Sequence, residues 1–348
     1  MRAAVCYEPG EPLRVEEIMI DPPQSGEVKV RVRATAICHS DIFLVRGGWP
    51  TKLPVLAGHE ASGIVEEIGS GVTAVKPGDS VVISLLRSCG TCFYCRSGLS
   101  NHCDGAFALL TESRLRNGQG DTIYQGIRTG AFAEYVVVDQ SQAVRIPPEI
   151  APDRAALLAC GVITGVGAVV NTAQVRPGSS VVVIGAGGVG LNAIQGAALA
   201  GASHIIALDI VEMKLLAAKH FGATHTLQAQ RSDVQQIVQD LTGGRGADYV
   251  FITVGSAPAV TQGLSLLRRA GTLVLVGMPQ TAATVPLPVA DTAEYGYRIL
   301  GSFVGATRPH VDIPWQVDLY QQGRLKLDEL ITAHYPLEQI NEAIEAVE

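Results

Sequence analysis

Along the first part of the chain, apolar and polar positions alternate over short runs. Between Gly26 and Ala34, Val28, Val30 and Val32 alternate with Lys29, Arg31 and Arg33, a period of two that predicts a half-buried strand. Ser62–Ile68 and Phe132–Val138 read the same way, with Gly and Pro turns between the segments. From Ser180 the texture changes. Short apolar runs at Val181–Ile184, Ile205–Leu208, Tyr249–Val254 and Leu273–Val276 are separated by helical stretches. Alternating β and α predicts a parallel, doubly wound sheet with right-handed crossovers.

After Gly301 the alternation stops. A helix is expected from about Trp315 to Gln322, stopped by Gly323, and another on Ile340, Ala343, Ile344 and Val347. The last stretch is expected to rejoin the first domain. The final helix reaches Glu348 without a cap and carries Glu345 and Glu348 at its negative end, so the natural chain is expected to continue.

Composition narrows the class. With 47% hydrophobic and 17% charged residues, 38 glycines and 18 prolines, the chain is globular and neither disordered nor a coiled coil. Its 348 residues predict two domains. The net charge is −7 and no basic run is present, so neither nucleic acid nor a membrane surface is an expected partner. No apolar segment has the length of a leader or a span, and a cytoplasmic location is expected.

Four of the seven cysteines lie close together. Cys89, Cys92, Cys95 and Cys103 form C-x2-C-x2-C-x7-C, a spacing that lets thiolates converge on one tetrahedral ion in a closed, structural zinc site. An iron–sulfur cluster is the main competitor, but the ferredoxin run has x3 before a final Cys-Pro, whereas here x7 precedes Cys103-Asp104. Free cysteines of purely structural role are the bland alternative. Three further segments, Cys38-His39-Ser40-Asp41, Gly58-His59-Glu60 and Cys160-Gly161, each carry metal-binding side chains. Singly, each reads more readily as core. Together, two thiolates and an imidazole would make a three-ligand zinc site with a fourth place open.

Val181–Ile184 leads into Gly185-Ala186-Gly187-Gly188-Val189-Gly190, a G-x-G-x-x-G loop between strand and helix. Gly185 allows the turn, Gly187 admits a pyrophosphate and Gly190 lets the helix pack on the sheet. Asp209 ends the next strand, where a carboxylate suits the ribose 2′-hydroxyl of NAD and repels the 2′-phosphate of NADP; no Arg follows it directly.

With CHSD at 38–41, GHEASG at 58–63, the cysteine lobe 89–103, CGVITG at 160–165 and GAGGVG at 185–190, the sequence resembles the zinc-dependent alcohol dehydrogenases of the medium-chain dehydrogenase/reductase family over essentially its whole length. From Cys89 to Thr164 it looks most like the long-chain branch that includes glutathione-dependent formaldehyde dehydrogenase. The resemblance implies a GroES-like, mostly-β catalytic domain (1–160 and 304–348) and a Rossmann coenzyme domain (161–303). It implies two zinc ions per chain, NAD, a small alcohol or aldehyde as substrate, and a homodimer or homotetramer.

The same resemblance assigns Cys38, His59 and Cys160 to a catalytic zinc, with Glu60 as an alternative ligand, Asp41 orienting His59, and Ser40 passing on the alcohol proton. His39 would contact the pyrophosphate, Lys214 the adenosine ribose, and Thr164, Val189, Val254, Val276, Gly277 and Met278 the nicotinamide side, beside the loop glycines including Gly188. Trp49, Leu85, Ile127 and Phe303 fall on substrate-pocket positions, and all are apolar. That favours primary aliphatic or aromatic alcohols over sugars.

Two departures matter. Phe43 stands where many relatives carry the outer histidine of a proton relay. Trp49 and Phe107 stand where glutathione-dependent members place an acid and an arginine, so a thiol adduct would lose its ionic anchors. The competing expectations are a thiol-adduct formaldehyde dehydrogenase and a non-catalytic, zinc-stabilised NAD-binding or redox-sensing protein. Cys6 receives no ligand role and reads as a small core hydrophobe.

Overall fold

A computed structural model describes all residues from Met1 to Glu348. The chain divides into two compact units, Met1–Cys160 with Arg308–Gly323 and Leu327–Glu348, and Gly161–Thr307 with Arg324–Lys326.

The first unit is built on two sheets. One is five-stranded and antiparallel, in the order Tyr135–Asp139, Glu27–Ala36, Glu60–Ile68, Ser80–Ile83, Ala143–Arg145. Its core shows why the alternation at the start of the chain is informative: Val28 and Val30 are fully buried beside Val65 and Val138, while Arg31 is exposed. The other sheet is six-stranded and made of short pieces, among them Arg2–Cys6, Val55–Leu56 and Thr122–Gln125. Cys6 is 1% exposed in its core. The late helices form over Pro309–Gln321, which begins before the expected Trp315 and has Gly323 at φ +69° beyond it, and over Ile340–Val347.

The second unit is a six-stranded parallel sheet in the order His225–Gln228, His204–Asp209, Ser180–Ile184, Ala247–Ile252, Leu267–Leu275, Arg298–Gly301. The order reverses beside Ser180–Ile184, the place where open α/β sheets bind ligands. Val181, Val182 and Val183 are fully buried, as a central parallel strand covered on both faces requires. The two edge strands lie outside the apolar runs read from the sequence because His225–Gln228 is only partly buried and Arg298–Gly301 is mostly exposed, so neither edge carries a continuous apolar signal.

The first unit resumes at Arg308, not at 304, and Arg324–Lys326 joins the second. Both shifts have local causes. The Thr307 hydroxyl donates to the carbonyl of Ile163 at 3.2 Å. Gln195 brackets the backbone of Lys326, accepting from its N–H at 2.7 Å and donating to its carbonyl at 3.1 Å. No helix is long and apolar enough to cross a membrane.

Candidate active site and metal centres

Both metal clusters lie in the first unit. The dispersed one gathers Cys38, His59, Glu60 and Cys160, whose ligand atoms all lie within 4.8 Å of one another. Cys38 is the N-cap of the helix His39–Val45, and its Sγ accepts from the N–H of Ser40 at 3.5 Å. His59 ends a loop and Glu60 begins the strand Glu60–Ile68. The preceding Gly58 has φ +94°, and a Cβ there would stand 2.6 Å from the backbone nitrogen of Phe132, so only glycine delivers His59 to this place.

Asp41 organises the cluster from behind. It is fully buried; Oδ1 lies 2.9 Å from Nδ1 of His59 and accepts the N–H of Gly58 at 2.9 Å, while Oδ2 accepts the N–H of Cys38 at 3.3 Å. The carboxylate therefore favours the His59 tautomer with its proton on Nδ1 and leaves the Nε2 lone pair facing the sulfurs. That Nε2 is buried and has no hydrogen-bond partner. An orphaned buried nitrogen, two thiols and a carboxylate fit a zinc ion.

The electrostatics agree. The hydrogen bond with Cys160 is the main cause holding the Cys38 thiol well below its ordinary range, with His59 adding to it. Burial pulls His59 down, but the charge and hydrogen bond of Asp41 more than offset this and hold it well above the usual imidazole range. Without an ion the site thus pairs a thiolate with a protonated imidazole, and a zinc ion would take the place of the Nε2 proton while Asp41 keeps the proton on Nδ1.

In the second cluster, Cys89, Cys92, Cys95 and Cys103 also place their sulfurs within 4.8 Å of one another. Backbone N–H groups point at the sulfurs: Thr91 and Cys92 at Cys89 (3.4 and 3.3 Å), Cys95 at Cys92 (3.4 Å), and Cys89 and Gly105 at Cys103 (3.3 and 3.4 Å). The Thr91 hydroxyl and these N–H groups draw Cys89 down to about 6. Burial, then the Cys92 and Cys103 sulfurs, push Cys95 up to about 12. The four sulfurs, two of them shifted in opposite directions by their neighbours, form a donor set that fits a zinc ion.

Around the dispersed cluster, Ser40 lies in the first helical turn and His39 is exposed beside it. Phe43, at the relay position, packs edge-to-face on Trp49 with ring centroids 5.1 Å apart. The position thus holds an apolar ring that can carry no proton. Trp49 and Ile127 pack against one apolar core, Leu85 is 7% exposed, and Phe107 lies over the guanidinium of Arg87 at 5.9 Å. Arg87, buried at 2% exposure, and Gln142, fully buried, have little signal in the sequence; what there is consists of a charge closing the mostly apolar stretch Val81–Leu86, broken at Ser84.

In the second unit the glycine loop joins Ser180–Ile184 to the helix Gly188–Leu199. A Cβ on Gly190 would meet the carbonyl oxygen of Gly185 at 1.8 Å, whereas one on Gly187 would meet nothing within 4 Å. Gly190 is thus needed for packing, and Gly187 leaves open space at a helix N-terminus where a pyrophosphate fits. Asp209 is buried, its Oδ2 accepting from the N–H of Ala186 at 2.7 Å and its Oδ1 from the N–H of Val211 at 2.9 Å. It fastens the loop as well as offering a carboxylate. Of the other positions named above, Thr164 and Val276 are buried, Val254 and Met278 are more open, Lys214 is exposed, and Phe303 opens the turn Phe303–Ala306.

Residues 24–148 match the alcohol dehydrogenase GroES-like domain, and residues 188–321 match the zinc-binding dehydrogenase domain. The chain is 39% identical to a class-3 alcohol dehydrogenase of Zea mays, over 98% of this chain and 92% of the relative. Two solved structures are similar: an alcohol dehydrogenase zinc-binding domain protein from Burkholderia ambifaria (36% identity, TM-score 0.94, 99% and 94% of the two chains) and benzyl alcohol dehydrogenase from Acinetobacter calcoaceticus (35%, 0.91, 98% and 94%).

Proposed function

The chain belongs to the zinc-dependent alcohol dehydrogenase family of medium-chain oxidoreductases, and from that membership we propose that it oxidises primary aliphatic or aromatic alcohols reversibly to aldehydes with NAD. The observation that carries the catalytic part is the buried, unpartnered Nε2 of His59 facing two thiols, with Asp41 behind it. When bound, zinc supplies a Lewis acid and the nicotinamide a hydride acceptor.

The residues have distinct tasks in this reading. Cys38, His59 and Cys160 hold the catalytic zinc, and Glu60 is its alternative ligand. Asp41 keeps the proton on Nδ1 of His59. The Ser40 hydroxyl accepts the alcohol proton; because Phe43 is packed on Trp49, the proton leaves by another route, through water, the cofactor ribose or His39. Trp49, Leu85, Ile127 and Phe303 exclude water and select apolar substrates. Cys89, Cys92, Cys95 and Cys103 hold the structural zinc. The glycine loop and Asp209 hold NAD, with His39, Lys214, Thr164, Val189, Val254 and the Val276–Met278 backbone around it. A cytoplasmic homodimer or homotetramer completes the reading, and size-exclusion chromatography with light scattering tests the assembly.

Apolar walls at Trp49 and Phe107 support a plain alcohol over a glutathione adduct, whose carboxylates would be desolvated without partners at a cost of several kcal/mol. The test is kcat/KM for ethanol, hexanol, benzyl alcohol and S-hydroxymethylglutathione with NAD. Hexanol or benzyl alcohol is expected to lead without added thiol, and Trp49→Ala should shift preference toward bulkier alcohols. A clear preference for the adduct would contradict the substrate assignment.

A further inference from the structure

Ile127 has φ 46° and ψ 42° and Arg128 has φ 61°, two consecutive left-handed residues, one of them β-branched. Such a conformation persists only where the surroundings hold it. The hold is visible. Arg87 Nη2 donates to the carbonyl of Arg128 at 2.9 Å, and Gln142 Nε2 donates to the same carbonyl at 3.1 Å. Gln142 Nε2 also donates to the carbonyl of Ser84 at 2.9 Å, and the N–H of Ser84 donates to the Gln142 carbonyl at 3.0 Å. Arg87 Nε closes the circuit on Gln142 Oε1 at 2.6 Å. On the other flank, Gln125 Nε2 donates to the carbonyls of Thr129 and Val137 at 2.8 and 2.7 Å.

Stability does not account for Arg87. It is 2% exposed, forms no ion pair, and leaves Nη1 without a partner. Burial and then Arg128 pull its pKa down to about 10. An apolar side chain of similar volume would escape this desolvation cost. What the guanidinium supplies is a rigid fork that reaches the amide of Gln142 and the backbone of the strained turn at once.

We propose that Arg87 and Gln142 are positioning residues that set the spacing between two walls of the substrate pocket, by pinning the turn that presents Ile127 to the strand end that presents Leu85. The inference rests on the reading above that Leu85 and Ile127 line that pocket. Neither Arg87 nor Gln142 touches substrate in this account.

The test compares Arg87→Met, Arg87→Lys and Gln142→Met with Ile127→Ala, measuring kcat and KM for ethanol, butanol, hexanol and benzyl alcohol, KM for NAD, and zinc content. Arg87→Met and Gln142→Met should keep both zincs and the KM for NAD. Each should change the hexanol-to-ethanol ratio of kcat/KM by about tenfold, the scale of one methylene in an apolar pocket, chiefly through KM. Arg87→Lys should be intermediate. An equal loss for every alcohol, or an unchanged ratio, would overturn the proposal; if Arg87→Met does not fold, Arg87→Lys and Gln142→Met decide it by the same ratio. Ile127→Ala separates the two readings. An unchanged ratio there removes the pocket reading and the clamp with it, whereas a shift confined to Ile127→Ala removes the clamp alone.

Discussion

The sulfurs of Cys89, Cys92, Cys95 and Cys103 come from one short stretch of chain and remain half-exposed, whereas Cys38, His59, Glu60 and Cys160 come from separate elements and the last three are buried. The lobe holds its own shape: each of Cys89, Cys92 and Cys103 is met by backbone N–H groups from within the same loop. The dispersed cluster depends on elements far apart in sequence, and one buried carboxylate, Asp41, ties the Cys38 and His59 segments together. A ligand set that is local in sequence can contribute directly to folding. One drawn from elements far apart in sequence leaves folding to other contacts and can keep a place open for chemistry.

The largest effect is expected from breaking the dispersed cluster. Cys38→Ser or His59→Ala should bring turnover below detection while the far-ultraviolet circular dichroism spectrum and the lobe zinc persist. Full activity in either variant would refute the ligand assignment. Next comes the carboxylate behind the imidazole: Asp41→Asn keeps the shape but loses the charge that fixes the His59 tautomer. Catalytic-zinc affinity or kcat should fall roughly 10- to 100-fold, read by metal competition and steady-state kinetics. An unchanged affinity would mean that Asp41 only caps the helix.

Cys95→Ser reverses the pattern. Its primary consequence should be a fall in Tm by calorimetry with loss of one zinc, and the residual molecules should turn over near the normal rate at low temperature. Unchanged melting with one zinc fewer would contradict a folding role for the lobe. The smallest effect is expected at the nucleotide loop. Because Asp209 also accepts from Ala186 and Val211, Asp209→Asn probes its charge with less disturbance than a glycine would. The NAD-to-NADP ratio of kcat/KM should narrow by about tenfold, or about 1.4 kcal/mol. Equal use of both cofactors by the unmutated chain would refute the reading of Asp209.

The same contrast explains what could be read in advance. The lobe was legible because its ligands share a loop, and the glycine loop because its sterics are local: Gly190 closes on Gly185 whatever the rest of the fold does. Val28 and Val30, and the Val181–Ile184 run, announced their strands through their burial. The meeting of Cys38, His59 and Cys160 was reachable only through the family's motifs, because the distances between them are created by tertiary packing. The Arg87–Gln142 pair was illegible for a different reason. A buried arginine paired to an amide and a carbonyl has no spacing signature, and solvated arginine is the ordinary expectation. The edge strands His225–Gln228, partly buried, and Arg298–Gly301, mostly exposed, escaped because neither environment imposes an apolar run.

The division of labour between the two clusters is tested most directly by zinc stoichiometry. The unmutated protein, Cys38→Ser and Cys95→Ser would each be analysed by inductively coupled plasma mass spectrometry alongside Tm and kcat. The account predicts two zincs per chain in the first and one in each variant, with activity lost in Cys38→Ser at nearly unchanged Tm and Tm lowered in Cys95→Ser. One zinc per chain in the unmutated protein, or both variants losing stability and activity alike, would contradict it.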